Sequence, residues 1–267
     1  MMLMNASIPL LLPRQAAPAW TPRTFVLVLT LLQSIVAAIN LPAAEAADQT
    51  GKKAPPFEND IKAFEASDKT NPPPAGAILF IGSSSIRLWK TLAADFPNHQ
   101  VINRGFGGSQ IIDSINYAER IVFPYRPKQI VFYAGGNDIN GEKSPERVLQ
   151  DFQSFVKKVH SALPDTRIAY ISIAGNPARW SQIERVRSAN RQIEVFTRSD
   201  NRLRFIDTHS HMLGPDGFPK PEIFVSDRLH MNGEGYKIWT GIVGPYLDGW
   251  PSRPTPRTTA EANRTAQ

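Results

Sequence analysis

Four short segments carry side chains that could work together on a carbonyl. Gly82-Ser83-Ser84-Ser85-Ile86 follows the apolar run Ala77–Ile81, which places serines at a strand-to-helix turn. Unpaired backbone N–H groups at a helix start favour developing negative charge, and a serine held there is a candidate nucleophile. The plainer alternative is that one of Ser83, Ser84 and Ser85 caps the helix, and the three are not separable on local grounds. Asn103-Arg104-Gly105-Phe106-Gly107-Gly108-Ser109 is a glycine-rich turn whose backbone could donate to an oxyanion or simply reverse the chain. Gly135-Gly136-Asn137-Asp138 offers a neutral amide donor in Asn137, or an Asx turn. Asp227-Arg228-Leu229-His230 sets a carboxylate three residues before an imidazole, so Asp227 could fix the tautomer of His230 and stabilise its cation. A hydroxyl, an imidazole–carboxylate pair and two kinds of oxyanion donor are the parts of a serine hydrolase.

Other clusters compete less well. Asp207-Thr208-His209-Ser210-His211 contains His-x-His beside an acid, but no fourth metal ligand accompanies it, so no metal site is expected. The glycine turn lacks the G-x-G-x-x-G dinucleotide fingerprint and follows the second strand, which counts against a nucleotide-binding α/β protein. Arg179-Trp180, after the fourth strand, could line a site or form an ordinary exposed loop.

The elements that must position these groups alternate along the chain. Strands are expected at Ala77–Ile81, Gln100–Asn103, Gln129–Tyr133, Arg167–Ile173 and Leu203–Asp207, apolar on both parities as in a buried parallel sheet. Helices are expected over 57–67, from Ser144 to about Leu163, over 181–199, and from near Asn232 onward. Ser144-Pro145-Glu146 supplies a cap, an N1 proline and an early acid. This order implies a doubly wound sheet, with the turns after strands one, two and three on one carboxyl-end rim where ligands bind.

Composition narrows the classes. The chain of 267 residues is 42% hydrophobic and 20% charged, which suits one α/β domain rather than two. It has no cysteine, which excludes disulfides and thiol nucleophiles. The net charge of +6 comes partly from arginines near the ends, and no basic block or basic-aromatic stripe points to nucleic acid. Arg23 precedes the apolar run Phe25–Leu32, and Ala44-Glu45-Ala46 matches a small-residue cleavage site. Residues 1–46 therefore read as an export signal, with an uncleaved inner-membrane anchor as the alternative. The run falls short of the ~20 residues that span a bilayer. The expected division is leader 1–46, helix and linker 47–75, catalytic domain 76–250 and a disordered Pro/Thr/Arg-rich tail 251–267. A periplasmic or secreted location follows from the leader.

From Ile78 to His230 these blocks resemble, in order, those of the SGNH or GDSL-type esterases and lipases. The resemblance implies a flavodoxin-like three-layer α/β/α sandwich with a five-stranded, mostly parallel sheet. It also implies Ser84 as nucleophile, Ser84, Gly108 and Asn137 as oxyanion donors, and Asp227 and His230 completing a triad without any cofactor. Ser83 stands where the family usually has Asp, so the local polarity differs. No glycine follows Ser84 at the offset of a Gly-x-Ser-x-Gly elbow, which argues against the α/β-hydrolase fold. Ser85-Ile86-Arg87-Leu88-Trp89 is similar to bacterial relatives of platelet-activating-factor acetylhydrolases, which implies a short acyl group. The expected substrate is a small ester, an acylated glycan or a lipid. A lysophospholipase acting on long acyl chains and a silent glycan-binding module are the alternatives.

Overall fold

The computed structural model describes residues 55–250. The leader, its cleavage site and the tail anticipated from the sequence lie outside the described residues. Five strands form one parallel sheet in the order β2-β1-β3-β4-β5: β1 (Ile78–Gly82), β2 (Val101–Gly105), β3 (Gln129–Tyr133), β4 (Arg167–Ile171) and β5 (Leu203–Ile206). Every residue of β1 and β3 is buried, because both strands are covered on both faces.

The two parities of each strand feed different cores. Leu79, Ile81, Ile130, Phe132, Ile168 and Tyr170 face one layer. Its helices are α1 (Glu58–Thr70), α4 (Ile111–Ile121), α6 (Pro145–Ala162) and α7 (Ile183–Thr197). Ile78, Phe80, Val131, Tyr133, Ala169 and Ile171 face the other layer, built from α2 (Ser84–Arg87), α3 (Leu92–Asp95) and α8 (Gly233–Asp248). A third short helix at the rim, α5 (Gly136–Asn140), follows β3. This is the three-layer α/β/α sandwich expected from the sequence.

Local chemistry explains most boundaries. The Ser144 hydroxyl accepts from the Arg147 N–H at 3.2 Å and Pro145 occupies the first turn of α6, as the sequence predicts. The Asn232 side chain accepts from the N–H groups of Glu234 and Gly235 and starts α8. Strand β4 ends two residues before the expected Ile173, and α1 runs on to Thr70 rather than residue 67. Helix α4 was not anticipated. Its start is a reciprocal cap in which Gln110 and Asp113 each bond the other's backbone N–H.

The sequence reading sets residues 47–75 apart from the catalytic domain, but α1 is part of the packed unit. Ile61 is fully buried in the first core. Arg120 of α4 pairs with Glu58 and Glu65, both at 2.7 Å. Asp68 receives Arg104 from β2 and the Tyr125 hydroxyl. An apolar anchor of this kind contributes about 1.5–3 kcal/mol.

Candidate active site

The serine turn rests on one glycine that nothing else can replace. Gly82 has φ 141°, and a Cβ there would lie 1.8 Å from the Tyr133 carbonyl oxygen. That closeness lets the Ser83 N–H donate to the same carbonyl at 3.0 Å, so β1 turns sharply into α2. A Cβ on Gly105 would meet the Arg87 nitrogen at 2.2 Å, so the end of β2 also presses on the backbone of α2. Two further bonds hold α2: Asn103 Nδ2 donates to the Ile86 carbonyl at 2.7 Å, and the Tyr236 hydroxyl donates to the Ser85 carbonyl at 2.9 Å.

The three serines separate once the turn is built. Ser83 is buried, and its carbonyl accepts the first bonds of α2. Ser85 is held through its carbonyl, which accepts from the Tyr236 hydroxyl. The Ser84 Oγ lies 2.8 Å from His230 Nε2, and its N–H, first in the helix, has no acceptor among the described residues.

Asp227 and His230 sit on a tight turn before α8. The chain closes there through Val225 N–H to the His230 carbonyl and Arg228 N–H to the Val225 carbonyl, both at 2.9 Å, with Arg228 at φ 58°. Asp227 Oδ1 accepts from the N–H groups of Leu229 and His230, at 2.8 and 2.9 Å. Oδ2 lies 2.6 Å from His230 Nδ1. The His230 backbone N–H, then its imidazole, then the Leu229 N–H hold the Asp227 carboxyl at a pKa of about 2. A carboxylate facing Nδ1 keeps the proton there and leaves the Nε2 lone pair for the Ser84 hydroxyl.

Gly108 and Asn137 lie on the same rim. Gly108 has φ 85°, its N–H has no partner among the described residues, and a Cβ there would meet nothing within 4 Å. Asn137 stands in the first turn of α5, and its side chain does not cap that helix. Its Nδ2 donates to the Ser109 carbonyl at 3.0 Å, and its Oδ1 accepts from Arg179 Nη1 at 3.0 Å. Ser84, Asn137, Arg179, Leu229, His230 and Ala174 line a common cavity of about 40 Å³.

Asp138, beside Asn137, carries a role that sequence reasoning missed. Its carboxyl is fully buried and accepts from the Ile111 N–H and from Lys143 Nζ, the latter at 2.8 Å. Burial raises its pKa, while Lys143 and the Ile111 N–H oppose the rise. The pair ties the Asn137 loop to the start of α4, just after the glycine turn. Of Arg179-Trp180, only Arg179 reaches the cavity. Trp180 packs on Phe218, with ring centroids 5.3 Å apart, and lies under Arg187.

His209 and His211 point into different surroundings. His209 is buried, which lowers its pKa, and its Nδ1 accepts from the Gly175 N–H at 3.0 Å. His211 is exposed, with Nδ1 3.0 Å from the Asp207 carbonyl. Among the described residues, no group of three or more His, Asp or Glu side chains is arranged to hold a metal ion.

Comparison with known proteins identifies the family and the fold. The sequence profile of the GDSL-like lipase/acylhydrolase family matches residues 82–238, more than half of the chain. No curated protein matches the sequence. Among solved structures, a Streptococcus pneumonia protein proposed to be a platelet activating factor superposes with a TM-score of 0.65 at 17% identity, covering 83% of this chain and 99% of its own. A GDSL-like lipase from Bacteroides thetaiotaomicron gives 0.61 at 19% identity, over 70% of this chain and 97% of its own. A mutant acetyl-xylooligosaccharide esterase from Geobacillus Stearmophilus gives 0.53 at 16% identity, over 67% and 96%. At these identities the structural likeness speaks for the fold, while the sequence profile spans the serine turn, the glycine turn, the Asn137 loop and the Asp227–His230 turn. The chain belongs to the GDSL-like lipase/acylhydrolase family and is a hydrolase acting on ester bonds.

Proposed function

We propose that this chain hydrolyses short-acyl carboxylic esters, acetyl esters foremost, through an acyl-enzyme on Ser84. The observation that carries the reading is the contact of Ser84 Oγ with His230 Nε2 at 2.8 Å, backed by Asp227 at 2.6 Å on Nδ1. His230 takes the hydroxyl proton as Oγ bonds to the ester carbonyl carbon. The carbonyl oxygen becomes an oxyanion, received by the N–H groups of Ser84 and Gly108 and by the Asn137 amide. Collapse breaks the bond to the alcohol oxygen, which leaves with the proton from His230. Water then gives its proton to His230 and attacks the acyl carbon, and return of that proton to Oγ releases the acid. Asp227 stays ionised and stabilises the imidazolium at both stages. In this scheme His230 carries every proton transfer, and the two backbone N–H groups with the Asn137 amide stabilise the oxyanion.

The cavity supports a small acyl group. Its volume of about 40 Å³ is well below the ~300 Å³ and upward of pockets that enclose drug-sized ligands. Structures of similar fold include acetyl-xylooligosaccharide and acetyl esterases, so an O-acetylated glycan is the substrate class we favour. Export by the leader, which would bring the enzyme to such polymers, belongs to the same proposal, as does a catalytic unit ending near residue 250.

Labelling with a fluorophosphonate, followed by mass mapping, tests the reading. Label on Ser84, loss of label and of aryl-acetate turnover in Ser84→Ala, and faster hydrolysis of acetyl than of long-chain esters are expected. Label on Ser83 or Ser85 would move the nucleophile. Absence of label on a folded protein would leave a silent binding module, and a preference for long chains would leave a lipase.

A further inference from the structure

The Asn137 amide is held at both ends by groups of opposite demand. Its Oδ1 only accepts and its Nδ2 only donates. Arg179 Nη1 donates to Oδ1 at 3.0 Å and to the Gly136 carbonyl at 3.3 Å. The Ser109 carbonyl accepts from Nδ2 at 3.0 Å. Both partners require the same orientation. A flipped amide would set Nδ2 against a guanidinium and Oδ1 against a carbonyl, losing both bonds and adding two repulsive contacts.

Nδ2 has two hydrogens, and the Ser109 carbonyl takes one. The second remains available on the rim that also carries the Gly108 N–H. A cation on Oδ1 draws charge from the amide and makes that remaining N–H a stronger donor. Arg179 is placed for this effect. It is half-buried, and no carboxylate among the described residues pairs with it to screen its charge. Burial lowers its pKa, but a guanidinium remains charged in proteins.

The position of Arg179 is itself fixed. It lies on the 3₁₀ turn Pro177–Gln182, where its N–H donates to Asn176 Oδ1 at 3.0 Å. The neighbouring Ala178 N–H donates to the Arg228 carbonyl at 3.0 Å, so this turn is bonded to the one that carries Asp227 and His230. Three of the loops that form the rim therefore meet at Arg179.

We infer that Arg179 is a positioning residue, which fixes and polarises the Asn137 amide as an oxyanion donor. The inference rests on the proposed acyl-transfer reaction. Steady-state kinetics on an uncharged aryl acetate test it, using Arg179→Met, Arg179→Lys, Asn137→Ala and the Arg179→Met/Asn137→Ala double variant. Each variant is first checked for a native circular dichroism spectrum and melting profile. Arg179→Met is expected to lower kcat about tenfold or more, with KM held within about twofold, as for an interaction made in the transition state. With Asn137 already replaced by Ala, the same substitution should change kcat less than about twofold, since no amide is left to hold. Arg179→Lys, which keeps a cation but not the fork, should fall between Arg179→Met and the parent.

Equal losses in both backgrounds, or a raised KM with kcat unchanged, overturn the inference and make Arg179 a structural or substrate-binding residue. If Arg179→Met does not fold, the Lys substitution in the two backgrounds completes the same cycle. The failure of the underlying reaction looks different. An Asn137→Ala loss below about tenfold would remove the oxyanion role itself, whatever the Arg179 variants do.

Discussion

Asp227→Asn separates the two jobs of one carboxylate. Oδ1 closes the turn by accepting from the N–H groups of Leu229 and His230, and an asparagine carbonyl oxygen can do the same. Oδ2 lies 2.6 Å from His230 Nδ1, where an asparagine would present an NH₂ donor instead. The imidazole must then offer its Nδ1 lone pair to that donor and carry its proton on Nε2. Nε2 would donate to Ser84 Oγ rather than accept from it, and the base is lost while the fold stays. The expected fall in kcat is about 10⁴-fold, or about 5.4 kcal/mol at 1.36 kcal/mol per decade. Asp227→Ala gives the opposite balance. It deletes the turn acceptors, at about 1 kcal/mol of stability, but leaves the imidazole free to adopt either tautomer. Asn should therefore be the more stable variant and no more active than Ala. Initial rates on an aryl acetate, with melting temperatures for both proteins, measure the two orders. An Asn variant retaining more than a tenth of the parent kcat would refute the tautomer argument, and so would an Ala variant far less active than Asn.

Gly82→Ala should destabilise the fold by more than about 3 kcal/mol, because a positive φ is strained for alanine and the new methyl would overlap a backbone carbonyl at 1.8 Å. Gly108→Ala, with φ 85° but nothing within 4 Å, should cost only the backbone strain of about 1–2 kcal/mol. Denaturant titration compares the two, and equal losses would mean that the carbonyl of Tyr133 moves aside freely. Acid stability supplies a second check. Arg202 holds the Asp200 carboxyl at about 2, and the turn N–H groups and imidazole hold Asp227 at about 2, against 3.8 for an ordinary Asp. A depressed carboxylate stabilises the fold above its unfolded pKa and ceases to do so as pH falls through the folded value. The melting temperature should accordingly drop between about pH 4 and pH 2, and Asp200→Asn should flatten that drop; an unchanged slope would show that the Arg202 pairing contributes nothing.

Much of the framework was legible because its causes are local. Buried parallel strands need apolar residues on both parities, and Ile78–Ile81 and Gln129–Tyr133 show them almost without interruption. Sharp turns need glycine, and Gly82, Gly108 and Gly135 all adopt positive φ where the sequence puts a rim loop. Helix α4 had a local signal too. Ile111, Ser114, Tyr117, Ala118 and Ile121 recur at helical spacing behind the Gln110/Asp113 cap, with the polar Ser114 interrupting the apolar stripe. The helix is held from outside, by Asp138 accepting from its first N–H, and that bond cannot be seen from within the segment.

The remainder depends on contacts far apart in the chain. Ser83, Ser84 and Ser85 have the same side chain in the same turn, and what distinguishes Ser84 is an imidazole 146 residues away. The same limit applies to Arg179 and Trp180, which were singled out together. The turn kinks at Arg179, with φ −124° and ψ 26°, so this side chain and its neighbour leave the backbone in different directions, one toward the rim cavity and the next away from it. The guanidinium takes the polar side, where Asn137 Oδ1 and the Gly136 carbonyl wait for a donor, and the indole takes the side offered by Phe218. Which neighbour goes where is decided by partners on other loops. A residue that acts through another, as Arg179 is inferred to act through Asn137, therefore leaves no spacing pattern of its own to read.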